Sequence, residues 1–206
     1  MESTLIILLD SEHLDQNLFM KSFAQKLGAF KNRRIILVHG DNSYSQQLIK
    51  NGMSEHEAIE RSIKEINLKL ISLLADSGLS SIGIHGYQRD LVIIENDFIQ
   101  IDGNYLHTLP LQVIITFSNL VSKSTGKHHS TISSAQLGFE LSCQFENSIC
   151  LCFAISENAN LSFKEQQPNE TELLNLVPEE VLRAGKSYFL TTLTDFQADL
   201  NFKVAF

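Results

Sequence analysis

A chain of 206 residues, 43% of them hydrophobic, can build a sizeable core, which excludes an intrinsically disordered protein. A net charge of -8 excludes a non-specific nucleic-acid binder, which needs a basic face. No apolar run approaches the ~20 residues that span a bilayer, and the acidic flanks of the first apolar run are not those of a signal peptide. The expectation is a cytoplasmic chain with neither membrane nor nucleic acid as partner.

Residues 4–9 form a continuous apolar run, the pattern of a strand covered on both faces. Leu14, Leu18, Phe19, Phe23 and Leu27 recur at helical spacing, and Gly28 follows as a stop. Residues 34–38 are a second buried strand that runs into His39-Gly40. Ser54 and Glu57 have the spacing of a capping box ahead of a long helix, which Gly78 closes. A third strand is expected at 80–86.

The middle of the chain reads differently. Two short apolar runs flank Glu95-Asn96-Asp97, so 91–103 is expected to be a β-hairpin. Strands follow at 111–117 and 148–155, with a helix at 133–145 between them. Residues 156–178 read as a loop, 179–196 as a last helix and 201–206 as a terminal strand. Cys143, Cys150 and Cys152 sit among apolar residues and read as buried thiols.

Alternating strands and helices predict an α/β fold, one domain over 1–206 with a mainly parallel sheet. Ligands in such sheets bind beyond the carboxyl ends of the strands. That rule selects His39, Gly40, Asp41 and Asn42 after the second strand, and His85, Gly86 and Arg89 after the third. It also selects the loop 118–130, which contains His128 and His129. The histidines read either as an imidazole cluster for an anion or metal, or as strand-end groups bonded to nearby backbone; no metal is assigned. Arg89 reads either as a carboxylate clamp or as a surface residue. Gly126-Lys127 lacks the spacing of a phosphate loop, because Val121 and His128 stand where a glycine and a hydroxyl are needed.

The ordered series resembles the amino acid kinase family, and within it the acetylglutamate kinases. Val38-His39-Gly40-Asp41-Asn42 is similar to the family's Val-His-Gly-Gly-Gly. Asn51-Gly52-Met53 and Asn67-Leu68-Lys69-Leu70-Ile71 stand where it has Asn-Gly-Leu and Asn-Lys-x-Leu-Val. The segment 83–90, "GIHGYQRD", takes the place of a glycine-rich loop, and "HHSTISSAQLGFEL" (128–141) the place of a loop ending Asn-Ala-Asp-Thr. The resemblance implies a three-layer α/β/α sandwich, a homodimer, and phosphoryl transfer from ATP with Mg²⁺ to a carboxylate. It makes His39, Gly40, Asp41, Asn42, His85, Gly86, Arg89 and His129 substrate-binding candidates, for a small acidic or acylated amino acid. It makes Lys186 the candidate for the second catalytic lysine.

The sequence also departs from the family. The first strand ends in Leu9-Asp10-Ser11, where a lysine and two glycines would cradle phosphate. Two glycines are replaced by Asp41 and Asn42, Met53-Ser54 stands in place of a clamping arginine, and the nucleotide half, 156–206, is short. The resulting expectation is an acetylglutamate-kinase-like protein without standard kinase activity. An active kinase and a non-catalytic scaffold or regulatory subunit are the alternatives.

Overall fold

The structure is a computed structural model that describes residues 3–30, 33–96, 98–123, 129–155, 161–164, 169–197 and 203–205. Strand β1 (Thr4–Leu9) is followed by α1 (Ser11–Asp15), α2 (Asn17–Leu27) and β2 (Arg34–His39). Next come α3 (Ser43–Lys50), α4 (Glu55–Asp76), β3 (Ser81–His85) and a 3-10 turn at Gln88–Asp90. The hairpin β4 (Val92–Glu95) and β5 (Phe98–Ile101) precedes α5 (Gly103–Thr108), β6 (Ile114–Ser118), β7 (Leu120–Lys123) and β8 (Ser130–Thr131). The chain continues through α6 (Ser134–Ser142), β9 (Ser148–Phe153), α7 (Glu170–Leu176), α8 (Glu179–Ala184), β10 (Phe189–Thr191) and β11 (Lys203–Ala205).

The main sheet has the order β11-β10-β9-β1-β2-β6-β3. Its first six strands in chain order are parallel, and β11 pairs antiparallel with β10 at the edge. A second sheet, β5-β4-β7-β8, contains the expected hairpin. Alternation along β1 explains the layers. Ile6 and Leu8 face one core with Leu137 and Leu141 of α6, while Leu5, Ile7 and Leu9 face the other with Phe23 of α2 and Leu70 of α4. A strand buried on both faces needs no polar residue in alternation, so β1 and β2 read as unbroken apolar runs.

Several local expectations are corrected. The helix expected from Leu14 to Leu27 is broken at Gln16, whose backbone is extended. Ser54 does not cap a backbone N–H; its hydroxyl donates to Glu57 at 2.6 Å instead. The loop expected at 156–178 contains α7, started by a capping box of Asn169 and Glu172; residues 156–160 and 165–168 lie outside the described residues. The last helix stops at Ala184 because Gly185 turns left-handed at φ 58, and β10 follows where helix was expected. Cys150 and Cys152 are buried as expected, but Cys143, at the end of α6, is exposed.

Candidate functional site

β1 delivers Asp10 to the carboxyl end of the main sheet. The Asp10 carboxylate caps α1, accepting from the backbone N–H of Glu12 at 2.9 Å and of His13 at 3.1 Å. Its other oxygen lies 2.6 Å from Nδ1 of buried His13. A capping aspartate is what a helix start demands after a strand, and it is the reverse of the charge that holds a phosphate.

A cavity of about 520 Å³ opens beside Asp10. Four carboxylates reach it, from Asp10, Glu12, Glu179 and Glu180, and two cations, from Arg183 and Lys186. Both cations have partners. Arg183 donates to Glu179 at 2.6 Å, and Lys186 lies 3.6 Å from Glu140 with its ammonium 4.5 Å from the centre of the Phe139 ring. Ile155, Pro178 and Ala184 add to the wall, together with Ser133 and Gln136 at the amino end of α6. There Ser133 caps Gln136 N–H at 3.2 Å, and Glu180 accepts from Ser134 N–H, Ala135 N–H and the Ser133 hydroxyl.

A second cleft of about 300 Å³ lies on the other side of α1 and shares Ser11 and Glu12 with the first. Asp41 and Asn42 line it. Asp41 accepts from Ser45 Oγ at 2.7 Å, and Asn42 caps α3 while donating to Asp15 at 2.7 Å. These two residues therefore start a helix that the sequence reading did not anticipate.

His39 and Gly40 serve packing. His39 is fully buried; its Nδ1 donates to Gly40 C=O at 3.0 Å, and its Nε2 accepts from Asn67 of α4 at 3.0 Å. Burial holds the imidazole neutral, with its pKa lowered to about 4. A Cβ on Gly40 would stand 2.8 Å from Ser134 Oγ and 3.1 Å from Asn119 Nδ2, so the glycine lets β2 approach the amino end of α6. Asn119 is a residue the sequence reading missed; its Oδ1 is buried without a hydrogen-bond partner.

The remaining candidates gather at the β3 edge, away from both clefts. His85 lies 2.7 Å from Ser118 Oγ and stacks on Tyr87, which stacks on His129 at 3.6 Å between ring centroids. Burial, Lys64 and His129 lower the His85 pKa. His129 also lies 3.6 Å from Glu60. Gly86 is pressed against Leu120 C=O and Val121, and Arg89 is exposed over the Tyr105 ring. Among the described residues no group of three or more His, Cys, Asp and Glu could hold a metal ion. His128 and Gly126-Lys127 lie outside the described residues. No helix among them is long and apolar enough to cross a membrane.

No protein-family model matches the sequence, and no curated protein matches it significantly. Solved structures do. An isopentenyl phosphate kinase shares 12% identity at a TM-score of 0.66, covering 98% of both chains. The isopentenyl phosphate kinase of T. acidophilum, solved as a product complex, shares 9% at 0.60, covering 95% of this chain and 93% of that one. The aspartate kinase of Synechocystis shares 8% at 0.64, covering 98% of this chain and 41% of that one. The chain has the amino acid kinase fold.

ATP and Mg²⁺ are the cofactors that the sequence resemblance implies. A triphosphate needs unpaired cations and open backbone N–H groups. Here both cavity cations face carboxylates, the first two N–H groups of α6 are taken by Glu180, and Asp10 stands at the end of β1. The residues present do not fit a triphosphate, and no catalytic step is derived through it.

Proposed function

We propose that the chain is a kinase-fold protein without phosphoryl-transfer activity that binds a small amino-acid-type ligand in the cavity beside Asp10. The observation that carries this reading is Asp10 itself, a carboxylate fixed by α1 and His13 at the end of the central strand. Losing one preorganised charge donor lowers rates by ~10²–10³, and a reversed charge lowers them further. The cavity still holds both signs of charge, which suits a ligand carrying an amine and a carboxylate. Its amine would face Asp10 and Glu12, its carboxylate Lys186 and Arg183. In this reading the chain works in the cytoplasm as a homodimer.

The test is ADP release together with thermal melting. Purified chain with ATP, Mg²⁺ and aspartate, glutamate or acetylglutamate should release no ADP above background. ATP with Mg²⁺ should leave Tm unchanged, while one of the amino acids should raise it by mass action. Robust ADP release would overturn the reading. One observation favours an active kinase instead: Lys186 does reach the same cavity as Asp10. That reading requires turnover that disappears in Lys186→Ala.

A further inference from the structure

Helices α2 and α4 pack on the same face of the main sheet and leave a groove between them. The groove encloses about 200 Å³ and shares no lining residue with the cavity beside Asp10. Its floor is apolar, formed by Leu14, Met20, Ile66, Leu70 and Leu73. The lining on α4 runs from Ile66 to Asp76, about 15 Å of helix. The rim is charged. Lys21 and Lys69 are both exposed and both lie near Asn17: Lys21 is one turn along α2, and Lys69 Nζ is 3.5 Å from Asn17 Oδ1. Among the described residues neither lysine forms an ion pair. The carboxylate among the lining residues, Asp76, stands about 10 Å along α4 from Lys69. The surface beside the groove is apolar too. Leu18 and Leu68, the most exposed leucines among the described residues at 83% and 63%, adjoin Asn17 and Lys69 in sequence.

We propose that this groove is a second ligand site, which takes a medium-chain aliphatic carboxylate. The acyl chain lies along Leu70 and Leu73, and the carboxylate meets Lys21 and Lys69. Charge complementarity selects the head group: a carboxylate answers two unpaired lysines, whereas an ammonium would face them. The floor selects the tail. An aliphatic chain gains about 0.8 kcal/mol for each methylene it buries, and a short polar ligand gains almost nothing from the same surface. The volume is below the ~300–1,000 Å³ of drug-sized sites, so the occupant is a single slender chain. The proposal does not depend on the ligand assigned to the cavity beside Asp10, since the two sites have separate linings.

The test uses the full chain, with octanoate, hexanoate and octylamine as probes. Binding is read by titration calorimetry and by methyl NMR signals. Octanoate should bind and move the Leu14, Leu70 and Leu73 methyl signals while leaving Ile155 and Ala184, in the other cavity, in place. Hexanoate should bind about tenfold weaker or more, at about fourfold per methylene. Octylamine should not compete. The double substitution Lys21→Ala with Lys69→Ala changes only exposed side chains, so it should fold as wild type by circular dichroism and bind octanoate about tenfold weaker. Three results each overturn the proposal: no octanoate binding by wild type, equal binding by the double variant, or methyl shifts at Ile155 and Ala184 instead of the groove. Self-association that is lost in Leu18→Ser with Leu68→Ser, together with no octanoate binding, also overturns it and assigns the groove to a second copy of the chain.

Discussion

Asn67 of α4 closes the last free nitrogen of His39, with its amide Nδ2 3.0 Å from the imidazole Nε2. The same amide donates to Thr116 C=O at 3.1 Å, and its oxygen accepts from the Thr116 hydroxyl at 3.2 Å. Strands β2 and β6 and helix α4 are thus joined by one buried polar network, in which the bond that His39 Nε2 accepts from Asn67 requires a neutral imidazole.

Neutral burial has a pH consequence. The imidazole titrates near 6.5 in an unfolded chain and at about 4 here. Protonation therefore favours the unfolded state. The contribution is fully present above pH 6.5 and is lost as pH falls from 6.5 to 4, amounting to about 3 kcal/mol. Urea midpoints at pH 7, 5.5 and 4 should fall steeply in wild type and less in His39→Leu. Parallel slopes for the two proteins would disprove the assignment.

Gly83 is the space that Asn67 occupies. A Cβ there would stand 2.1 Å from Asn67 Oδ1 and 2.7 Å from Ile71 Cδ1. Asn67 is buried and cannot swing away without breaking the His39 network. Gly83→Ala should destabilise the chain by about 3 kcal/mol, at the upper end for overpacking. Asn67→Ala should cost about 1–3 kcal/mol by orphaning the imidazole. Guanidinium unfolding checks both, and a neutral Gly83→Ala would show that the strand can shift.

Much of the fold was legible because burial on both faces writes unbroken apolar runs, as in β1 and β2. Parallel order followed from the helices between them. The hairpin was legible from its two apolar runs around Glu95-Asn96-Asp97. Short elements were not: β10 has three residues and α5 six, too few to show a period. The site was legible only as a list of strand ends. Which ends face a cavity depends on partners far along the chain. His39 is claimed by Asn67, 28 residues away, and Ser134 by Glu180, 46 residues away. Neither pairing leaves a local signal. Asp10 was legible as a carboxylate out of place for phosphate, but not as the cap of α1, a helix of five residues and too short to show a period.

The three cysteines should separate cleanly by reactivity. Burial raises the Cys150 thiol to about 11 and raises Cys152 as well, so neither forms thiolate near neutral pH. Cys143 is exposed at the end of α6. Ellman's reagent at pH 8 should find one fast thiol in the native chain and three in urea. Cys143→Ser should remove the fast phase. A second fast thiol in the native protein would mean that β9 is open to solvent.

Lys186 allows the ligand reading to be tested with little disturbance of stability. Its side chain is 33% exposed, and its Glu140 partner, 30% exposed, lies 3.6 Å away. A pair this exposed contributes less than about 1 kcal/mol, and the Phe139 contact adds a similar amount. Lys186→Ala should therefore lower the unfolding free energy only slightly. If Lys186 receives the carboxylate of an amino-acid ligand, the same substitution should abolish most of the ligand-induced rise in Tm, and Lys186→Arg should restore part of it. The result to look for is this separation: baseline melting nearly unchanged, ligand response lost. An unchanged ligand response in Lys186→Ala would remove the lysine from the site and leave Arg183 as the cation that faces the ligand.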